Sequence, residues 1–218
     1  KGGPILKKIL TIAPLQHVEA GNLIYQPINN EKLQYNVPTC FPVLPLIHGY
    51  MTAGDSAEVF VLTTENHQIA SENYKIIERE IKKLCTELGA SCTVNKINIP
   101  FNETVETHLN TFQALIEKIS DGDTILADIT YGSKCLAILL MMALNYGYRA
   151  CKNCIVDCFI YGSLDFREGH PCGRRIYDIT SLFLMDQIVN ELAKGGNRSP
   201  AKTIESILNM NAGMKAEE

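Results

Sequence analysis

The hydrophobic pattern alternates between short apolar runs and longer amphipathic stretches along most of the chain. The short runs predict strands at 8–13, 59–63, 92–99, 124–129, 153–161 and 174–179. Apolar residues at helical spacing predict helices at 40–51, 69–88, 105–119, 133–148 and 181–192. Because strands and helices alternate, the sequence predicts an α/β fold with a mainly parallel sheet and helices on both faces.

The segments between these elements indicate how the chain is divided. Residues 16–36 are polar and 162–171 are predicted to form a loop. The segment "GGNRSP" at 195–200 has the composition of a linker, and a weak helix at 201–210 leads into a charged tail. We therefore expect one domain at 5–195, followed at 196–218 by a linker and short helix that open a further domain. The missing initiator methionine likewise suggests a piece of a longer protein.

Composition narrows the range of partners. Hydrophobic residues make up 46% of the 218 positions, enough for a full core, and the formal net charge is −4. Because no basic block is present, we expect no long nucleic acid as partner, although a small anion could bind in a focused pocket. No uncharged apolar run is long enough to predict a membrane span. Eight cysteines without a signal peptide favour reduced thiols and a cytoplasmic location.

The stretch "ILADITYGSKCLAILLMMALNYGY" at 125–148 joins an apolar strand, a polar turn and an apolar helix. In parallel sheets, ligands bind beyond the carboxyl ends of strands, where the next helix begins. The free amides and the dipole of that helix favour an anion. The turn adds hydroxyls, a flexible glycine and a cation, and it predicts an anion-binding site made of Thr130, Tyr131, Gly132, Ser133 and Lys134.

A purely structural interpretation of the same turn stays open. Ser133 has the residue type of a helix N-cap, and Asp128 has that of a turn former. The spacing of a phosphate-binding P-loop is absent, and so is the G-x-G-x-x-G fingerprint of dinucleotide-binding folds.

Two motifs resemble a known family. "DITYGSKCLAILL" resembles the D-[ILV]-T-x-G-[ST]-[KR] turn of CARF domains, the Rossmann-like sensors of CRISPR-associated effectors. "RRIYDITSLFLMDQIVNEL" at 174–192 resembles the late "YDLTxLF" element of one branch of that family. The order of elements also matches, and the resemblance covers most of 5–195. It implies a Rossmann-like fold.

The resemblance also implies a ligand and a set of site residues. CARF domains form homodimers that bind cyclic oligoadenylates across the dimer axis. Besides the turn at 130–134, the loop after the first strand would contribute Ala13, Pro14, Leu15 and Gln16. That loop departs from the family, since "APLQH" replaces a Gly/Ser-rich loop. Strand ends elsewhere in the sheet add weaker candidates, namely Thr64, Glu65, Asn66, Tyr161, Gly162 and Ser163.

Three functions follow as alternatives. The first is a cyclic oligoadenylate (cA4 or cA6) sensor that acts as a homodimer and controls an attached effector in type III CRISPR antiviral defence. The second is a ring nuclease in which the ribose 2′-hydroxyl attacks the adjacent phosphate in line, without a metal. Lys134 would then stabilise the developing charge and Ser133 would orient the phosphate, with His17 as a further acid/base candidate. The third is the nucleotide-binding domain of a regulator.

We expect neither a metal nor a cofactor. Cys151, Cys154 and Cys158 lie close together in "CKNCIVDC", with His170 and Cys172 downstream. Their spacing does not match the paired ligands of a structural zinc site, so free buried thiols are the favoured interpretation.

Overall fold

A computed structural model describes residues 6–19, 21–194, 201 and 204. The chain falls into two units, Lys1–Thr180 and Ser181–Glu218. The predicted linker at 196–200 lies outside the described residues, as does the predicted helix at 201–210 apart from Ala201 and Ile204, which are helical. The expected domain limits at 5–195 and 196–218 stay a prediction.

The first unit contains a seven-stranded sheet and four α-helices. The strands are β1 (Leu6–Ile12), β2 (Tyr25–Pro27), β3 (Ser56–Thr64), β4 (Ser91–Ile99), β5 (Thr124–Asp128), β6 (Ile155–Arg167) and β7 (His170–Asp178). The helices are α1 (Val43–Tyr50), α2 (Gln68–Glu87), α3 (Val105–Ile116) and α4 (Lys134–Ala150), and a 3-10 helix spans Glu31–Leu33. Helix α5 (Thr180–Lys194) lies almost wholly in the second unit.

The sheet order is β2-β7-β6-β5-β1-β3-β4, and every neighbouring pair is parallel except β6 and β7. The predicted α/β, Rossmann-like, mainly parallel sheet is therefore confirmed. The chain runs outward from β1 through β3 to β4 and then crosses to β5 on the other side of β1. Such a reversal leaves a crevice at the carboxyl ends of the two strands that flank it, which here are β1 and β5.

The helices cover both faces of the sheet. Ile9 of β1 belongs to the same buried cluster as Ile77 and Ile81 of α2. On the other face, a Cβ placed on Gly132, just before α4, would lie 2.8 Å from Ile12 Cγ2. Because side chains alternate along a strand, Ile9 and Ile12 point to opposite faces, so α2 and α4 cover different sides. The prediction that helices cover both faces of the sheet is therefore confirmed.

The predicted loop at 162–171 is wrong. β6 continues through it to Arg167 and pairs antiparallel with β7 as a hairpin. The connection is the two-residue turn Glu168–Gly169, with φ of 52° and 80° at the two residues, as expected for a tight hairpin turn. The strand was missed because neither side of this part of β6 is both apolar and buried, since Ser163 and Asp165 are partly buried whereas Leu164 and Phe166 are exposed.

A short strand also lies inside the polar segment 16–36. β2 pairs parallel with β7, and Tyr25 lies opposite Arg174 in the register. β2 has three residues, and only Tyr25 among them is buried, so the strand is too short to show an alternating pattern in the sequence. Within the described part of the chain, no helix has the length and apolar character that a bilayer span requires.

Candidate functional site

Asp128 lies at the carboxyl end of β5, where the sheet order reverses. Its side chain is buried and accepts a 2.9 Å hydrogen bond from Thr11 Oγ1 of β1. It also accepts hydrogen bonds from the backbone N (2.9 Å) and Oγ1 (2.5 Å) of Thr130. Burial raises the pKa of Asp128, and the bonds from Thr130 and Thr11 oppose that shift. The carboxyl group therefore fixes the start of the predicted turn to the centre of the sheet.

The turn is also attached to β6. The Thr130 hydroxyl accepts a 2.8 Å hydrogen bond from the backbone N–H of Gly162. A Cβ on Gly162 would lie 2.7 Å from Pro42 Cγ, 3.1 Å from Tyr25 Cε1 and 3.2 Å from Thr130 Oγ1. Glycine is thus required by close packing here. Thr130 and Gly162, both predicted as binding residues, form the wall of the site.

Two tyrosines meet at one carbonyl. Tyr131 donates a 2.6 Å hydrogen bond to the carbonyl oxygen of Cys40, and Tyr25 donates a 3.2 Å bond to the same atom. Burial raises the pKa of both phenols, and the nearby Asp128 carboxylate raises it further. Both hydroxyls therefore stay protonated at neutral pH and act as donors that fix the Cys40 carbonyl.

Arg174 brings a positive charge into this region from β7. The residue is buried, and its guanidinium donates to the backbone carbonyls of Glu19 (2.6 Å) and Leu23 (3.3 Å) and to that of Thr39. The guanidinium carbon also lies 5.8 Å from the centre of the Tyr25 ring, within cation–π distance. Arg174 therefore holds the loop after β1 against the sheet edge.

These residues enclose a cavity of about 770 Å³. Its wall brings together several predicted site residues, namely Gln16, Thr130, Tyr131, Tyr161, Gly162 and Ser163. It also includes residues that were not predicted as ligand contacts, namely His17, Glu19, Asn22, Tyr25, Phe166 and Arg174. The cavity thus combines a buried cation with aromatic and hydroxyl groups at the carboxyl edge of the sheet.

One hydroxyl in the wall has no hydrogen-bond partner among the residues that the structure describes. Ser163 Oγ is buried and makes no hydrogen bond within the described part of the chain. A buried polar atom without a partner costs about 1–3 kcal/mol. Because Ser163 also lines the cavity, a bound ligand is well placed to supply the missing hydrogen bond.

The start of α4 has the geometry predicted for a helix N-cap. Ser133 Oγ accepts a 3.1 Å hydrogen bond from the backbone N of Leu136. Gly132 adopts a φ of 91°, and a Cβ there would contact Ile12 of β1, so glycine is needed for the turn. Lys134 is exposed. The capping role of Ser133 is confirmed. Because the cap uses the Ser133 hydroxyl as a hydrogen-bond acceptor, the role of this residue in anion binding stays a prediction.

A carboxylate already faces this helix end. Glu103, from the loop before α3, lies beside His108 and the side chains of Cys135 and Ser133. Hydrogen bonds, first from His108 and then from Cys135 and Ser133, hold the pKa of Glu103 below its usual value. An anion at the start of α4 would have to displace this group. The cavity on the other side of the turn is the more open place for a ligand.

The remaining predicted residues are distributed around the same sheet edge. Leu15, Thr64 and Ser133 line a second, much smaller cavity of about 40 Å³. Neither cavity is lined by the other candidates, which are Ala13, Pro14, Glu65, Asn66, Gly132 and Lys134. The structure therefore brings only part of the predicted set to one cavity.

The loop after β1 is held by a residue that sequence reasoning missed. Asn73 of α2 is buried, and its Nδ2 donates to the carbonyls of Pro14 (2.9 Å) and Gln16 (3.0 Å). Arg174 was missed as well, although strand alternation carried a signal for it. Arg174 lies two residues before the buried Ile176 and therefore on the same side of β7.

Of the cysteines expected to be buried thiols, Cys154 and Cys158 are buried, whereas Cys151 is partly exposed and Cys172 is exposed. Desolvation raises the pKa of Cys154 to about 11 and that of Cys158 to about 12. Burial likewise raises the pKa of Cys40, at the cavity, to about 11. These groups are protonated at neutral pH and are poor nucleophiles.

Comparison with known proteins gives one informative match. No family model matches the chain. The chain is 29% identical over 127 residues to a CRISPR-associated protein of Methanocaldococcus jannaschii. The match covers 55% of this chain and 19% of the relative, so the chain corresponds to a small part of that protein.

Proposed function

We propose that this chain, similar in part to a CRISPR-associated protein, is a CARF-type sensor domain that binds a cyclic oligoadenylate in CRISPR antiviral defence. The observation that carries the proposal is the cavity of about 770 Å³ at the carboxyl edge, with buried Arg174 and the unpartnered hydroxyl of Ser163. Parallel α/β sheets bind ligands at this edge. The proposed ligand offers phosphates, riboses and bases to such a wall.

Local charge favours an anion despite the net charge of −4. Arg174 contributes a buried guanidinium to the cavity wall, where burial reduces the screening of its charge by water. Its contacts with backbone carbonyls fix the group in place, so little entropy is lost when a phosphate approaches. A small, focused positive site is sufficient for a compact anion.

Aromatic groups in the wall suit adenine bases. Tyr161 is 42% exposed, and its ring stacks on Tyr177 at 6.4 Å between centroids and 27° between planes. Phe166, which lines the same cavity, is 62% exposed. Bases stack on such rings with about 1–3 kcal/mol each. We assign Tyr161 and Phe166 to base stacking.

The size of the cavity suggests that two copies share one ring. Pockets of about 300–1,000 Å³ hold a drug-sized molecule, so about 770 Å³ suits part of a cyclic oligoadenylate. A ring with an even number of units has two-fold symmetry, which matches the axis of a symmetric dimer. Each copy of the homodimer would then bind half of the ring.

The pairing surface that we propose is the exposed apolar strip on α3 and α4. Its members are Val105 (75% exposed), Leu109 (63%), Ile138 (59%) and Met142 (51%), which border one apolar groove. Exposed apolar area of this kind favours burial between two protein surfaces. Ile138→Glu should convert a dimer into a monomer in sedimentation velocity, whereas Ile155→Glu, at an exposed position on β6, should leave the mass unchanged.

Isothermal titration calorimetry with cA4, cA6 and linear tetraadenylate tests ligand binding. We expect heat with one of the rings, at one ring per two chains, and weaker binding of the linear form. Ser163→Ala should weaken ring binding about 2- to 10-fold, since one hydrogen bond is lost. Ser71→Ala in α2 is the matched control. Absence of heat with both rings would refute the proposal.

Ring cleavage is a second candidate function, and the position of His17 favours it. His17 lies in the wall of the cavity proposed to hold the ring. An imidazole there could accept the proton of a 2′-hydroxyl as that oxygen attacks the adjacent phosphate; the bond to the 5′-oxygen breaks, that oxygen takes a proton from water, and a 2′,3′-cyclic phosphate remains. Chromatography of the ring after prolonged incubation, with His17→Ala as control, distinguishes cleavage from binding alone.

A further inference from the structure

A mixed cluster of side chains connects the first turns of α3 and α4. Glu103, His108 and Cys135 each offer one atom able to bind a metal ion, and these atoms lie within 4.8 Å of one another. His108 Nε2 and Glu103 Oε2 are 2.8 Å apart. No other group of this kind occurs in the part of the chain that the structure describes.

Hydrogen bonds hold the loop that carries Glu103. Asn102 Oδ1 accepts from Thr104 Oγ1 at 2.9 Å and from Thr107 Oγ1 at 2.5 Å. Thr104 is the N-cap of α3, since its Oγ1 accepts a 3.2 Å bond from the backbone N of Thr107. His108 follows one turn later on α3. The backbone therefore presents Glu103 and His108 to α4 in a fixed relation.

Cys135 is held in the same way from the opposite helix. It is the second residue of α4, directly after the cap made by Ser133. In the metal-free chain the thiol is protonated, because its hydrogen bond to the Glu103 carboxylate raises the pKa of Cys135. Two helix ends, both with partial positive charge, thus converge on one carboxylate and one thiol.

The chemistry of this ligand set favours zinc. Thiolate, imidazole and carboxylate are the three ligand types that zinc binds, at about 2.0–2.3 Å, so neighbouring ligands of a tetrahedral ion lie about 3.3–3.8 Å apart. The separation of 2.8 Å between Glu103 and His108, with every pair no more than 4.8 Å apart, is close to that range. Small side-chain rotations would suffice. His108 and Cys135 are partly exposed in the single chain and border the apolar groove of the proposed pairing surface, so the ion and a water as fourth ligand would enter before two copies pair.

We propose that Glu103, His108 and Cys135 form a zinc site that joins α3 to α4. Binding would release the thiol proton of Cys135 to solvent, and the divalent ion would balance the two negative ligands. The ion would also replace the direct contact between Glu103 and His108. Since these residues stand outside the cavity of about 770 Å³, the site does not depend on the proposed ligand.

Titration with Co²⁺ and then Zn²⁺ tests the site. We expect one Co²⁺ per chain, with tetrahedral d–d bands and a thiolate-to-cobalt charge-transfer band, both removed by one equivalent of Zn²⁺. Cys135→Ser should abolish the charge-transfer band. Loss of a residue that only orients a metal ligand lowers metal affinity about 10- to 100-fold. Because His108 is proposed as a direct ligand, His108→Gln should weaken zinc binding by at least about 100-fold.

Two other cysteines serve as controls. Cys92 forms a hydrogen-bonded pair with Cys85 that lowers the pKa of Cys92, so this pair is the main rival for a metal. Cys172 is exposed on β7. Cys92→Ser and Cys172→Ser should leave the cobalt spectrum intact. Absence of a charge-transfer band in the unmodified chain, or its persistence in Cys135→Ser with circular dichroism unchanged, would overturn the proposal.

Discussion

Gly162→Ala tests whether the wall of the cavity is as closely packed as the structure indicates. The added methyl would lie 2.7 Å from Pro42 Cγ, 3.1 Å from Tyr25 Cε1 and 3.2 Å from Thr130 Oγ1. Two of these neighbours are parts of rings and cannot rotate away independently. Gly173 of β7 offers a matched control, because its nearest neighbour, Asp165 Oδ2, would lie 3.5 Å from the new methyl.

The expected magnitude follows from two terms. Overpacking of a filled core costs about 1–3 kcal/mol. Replacing a strand glycine by alanine gains about 0.5–1 kcal/mol of backbone entropy. The second term is common to both variants, so their difference isolates the clash. We expect Gly162→Ala to be less stable than Gly173→Ala by about 1–3 kcal/mol, with Gly173→Ala equal to or slightly above the unmodified chain.

Urea unfolding followed by circular dichroism measures this difference. The two variants should show equal m-values, so that a lower midpoint for Gly162→Ala reports a lower free energy of unfolding. Because the methyl would intrude on the cavity, Gly162→Ala should also weaken ring binding, whereas Gly173→Ala should not. Midpoints that correspond to free energies within about 0.5 kcal/mol of each other would refute the packing argument.

Three further predictions concern neighbouring groups. Arg174→Lys should cost about 1.5–3 kcal/mol in urea unfolding through lost bonds to carbonyls, whereas the exposed Arg175→Lys should change stability by less than about 0.5 kcal/mol. Burial raises the pKa of Asp128, so ionisation of this carboxyl group destabilises the folded state. The free energy of unfolding of the unmodified chain, relative to that of Asp128→Asn, should therefore fall as pH rises above about 4. A relative gain in stability with pH would contradict this. Ser133→Ala should lose about 1 kcal/mol of cap energy, which Ser133→Asn should retain; equal unfolding midpoints for the two would exclude the cap.

The sequence predicted the central strands because their burial on both faces leaves long apolar runs. β1 and β5 are of this kind, and the helices between them have clear apolar stripes. The hairpin of β6 and β7 was hidden for the opposite reason. In the outer half of β6, partly buried polar residues alternate with exposed apolar ones, so the sequence does not show the pattern of a half-buried strand. The turn at Glu168–Gly169 also lacks the usual Asn-Gly or Asp-Gly signal.

The candidate site was predictable where one local motif determines it. The turn at 130–134 carries its own chemistry, and the structure confirms the turn, the cap and the position after β5. The rest of the cavity depends on pairing between distant segments. Arg174 reaches the cavity because β7 pairs with both β2 and β6, and Asn73 reaches the loop after β1 from another helix. Such long-range proximity leaves no local mark in a single sequence.

The hydrogen bonds of Asp128 have a consequence for how substitutions combine. One carboxyl group joins Thr11 of β1 to Thr130, whose hydroxyl in turn receives the amide of Gly162 in β6. Loss of the Thr11 hydroxyl leaves one oxygen of the buried Asp128 carboxyl group without its donor, while the other oxygen of that group still accepts from Thr130. Thr11→Val and Thr130→Val should therefore show a coupling energy of about 0.5–3 kcal/mol in a double-mutant cycle. Substitutions at this point of the three adjacent strands should therefore be non-additive in their effects on stability.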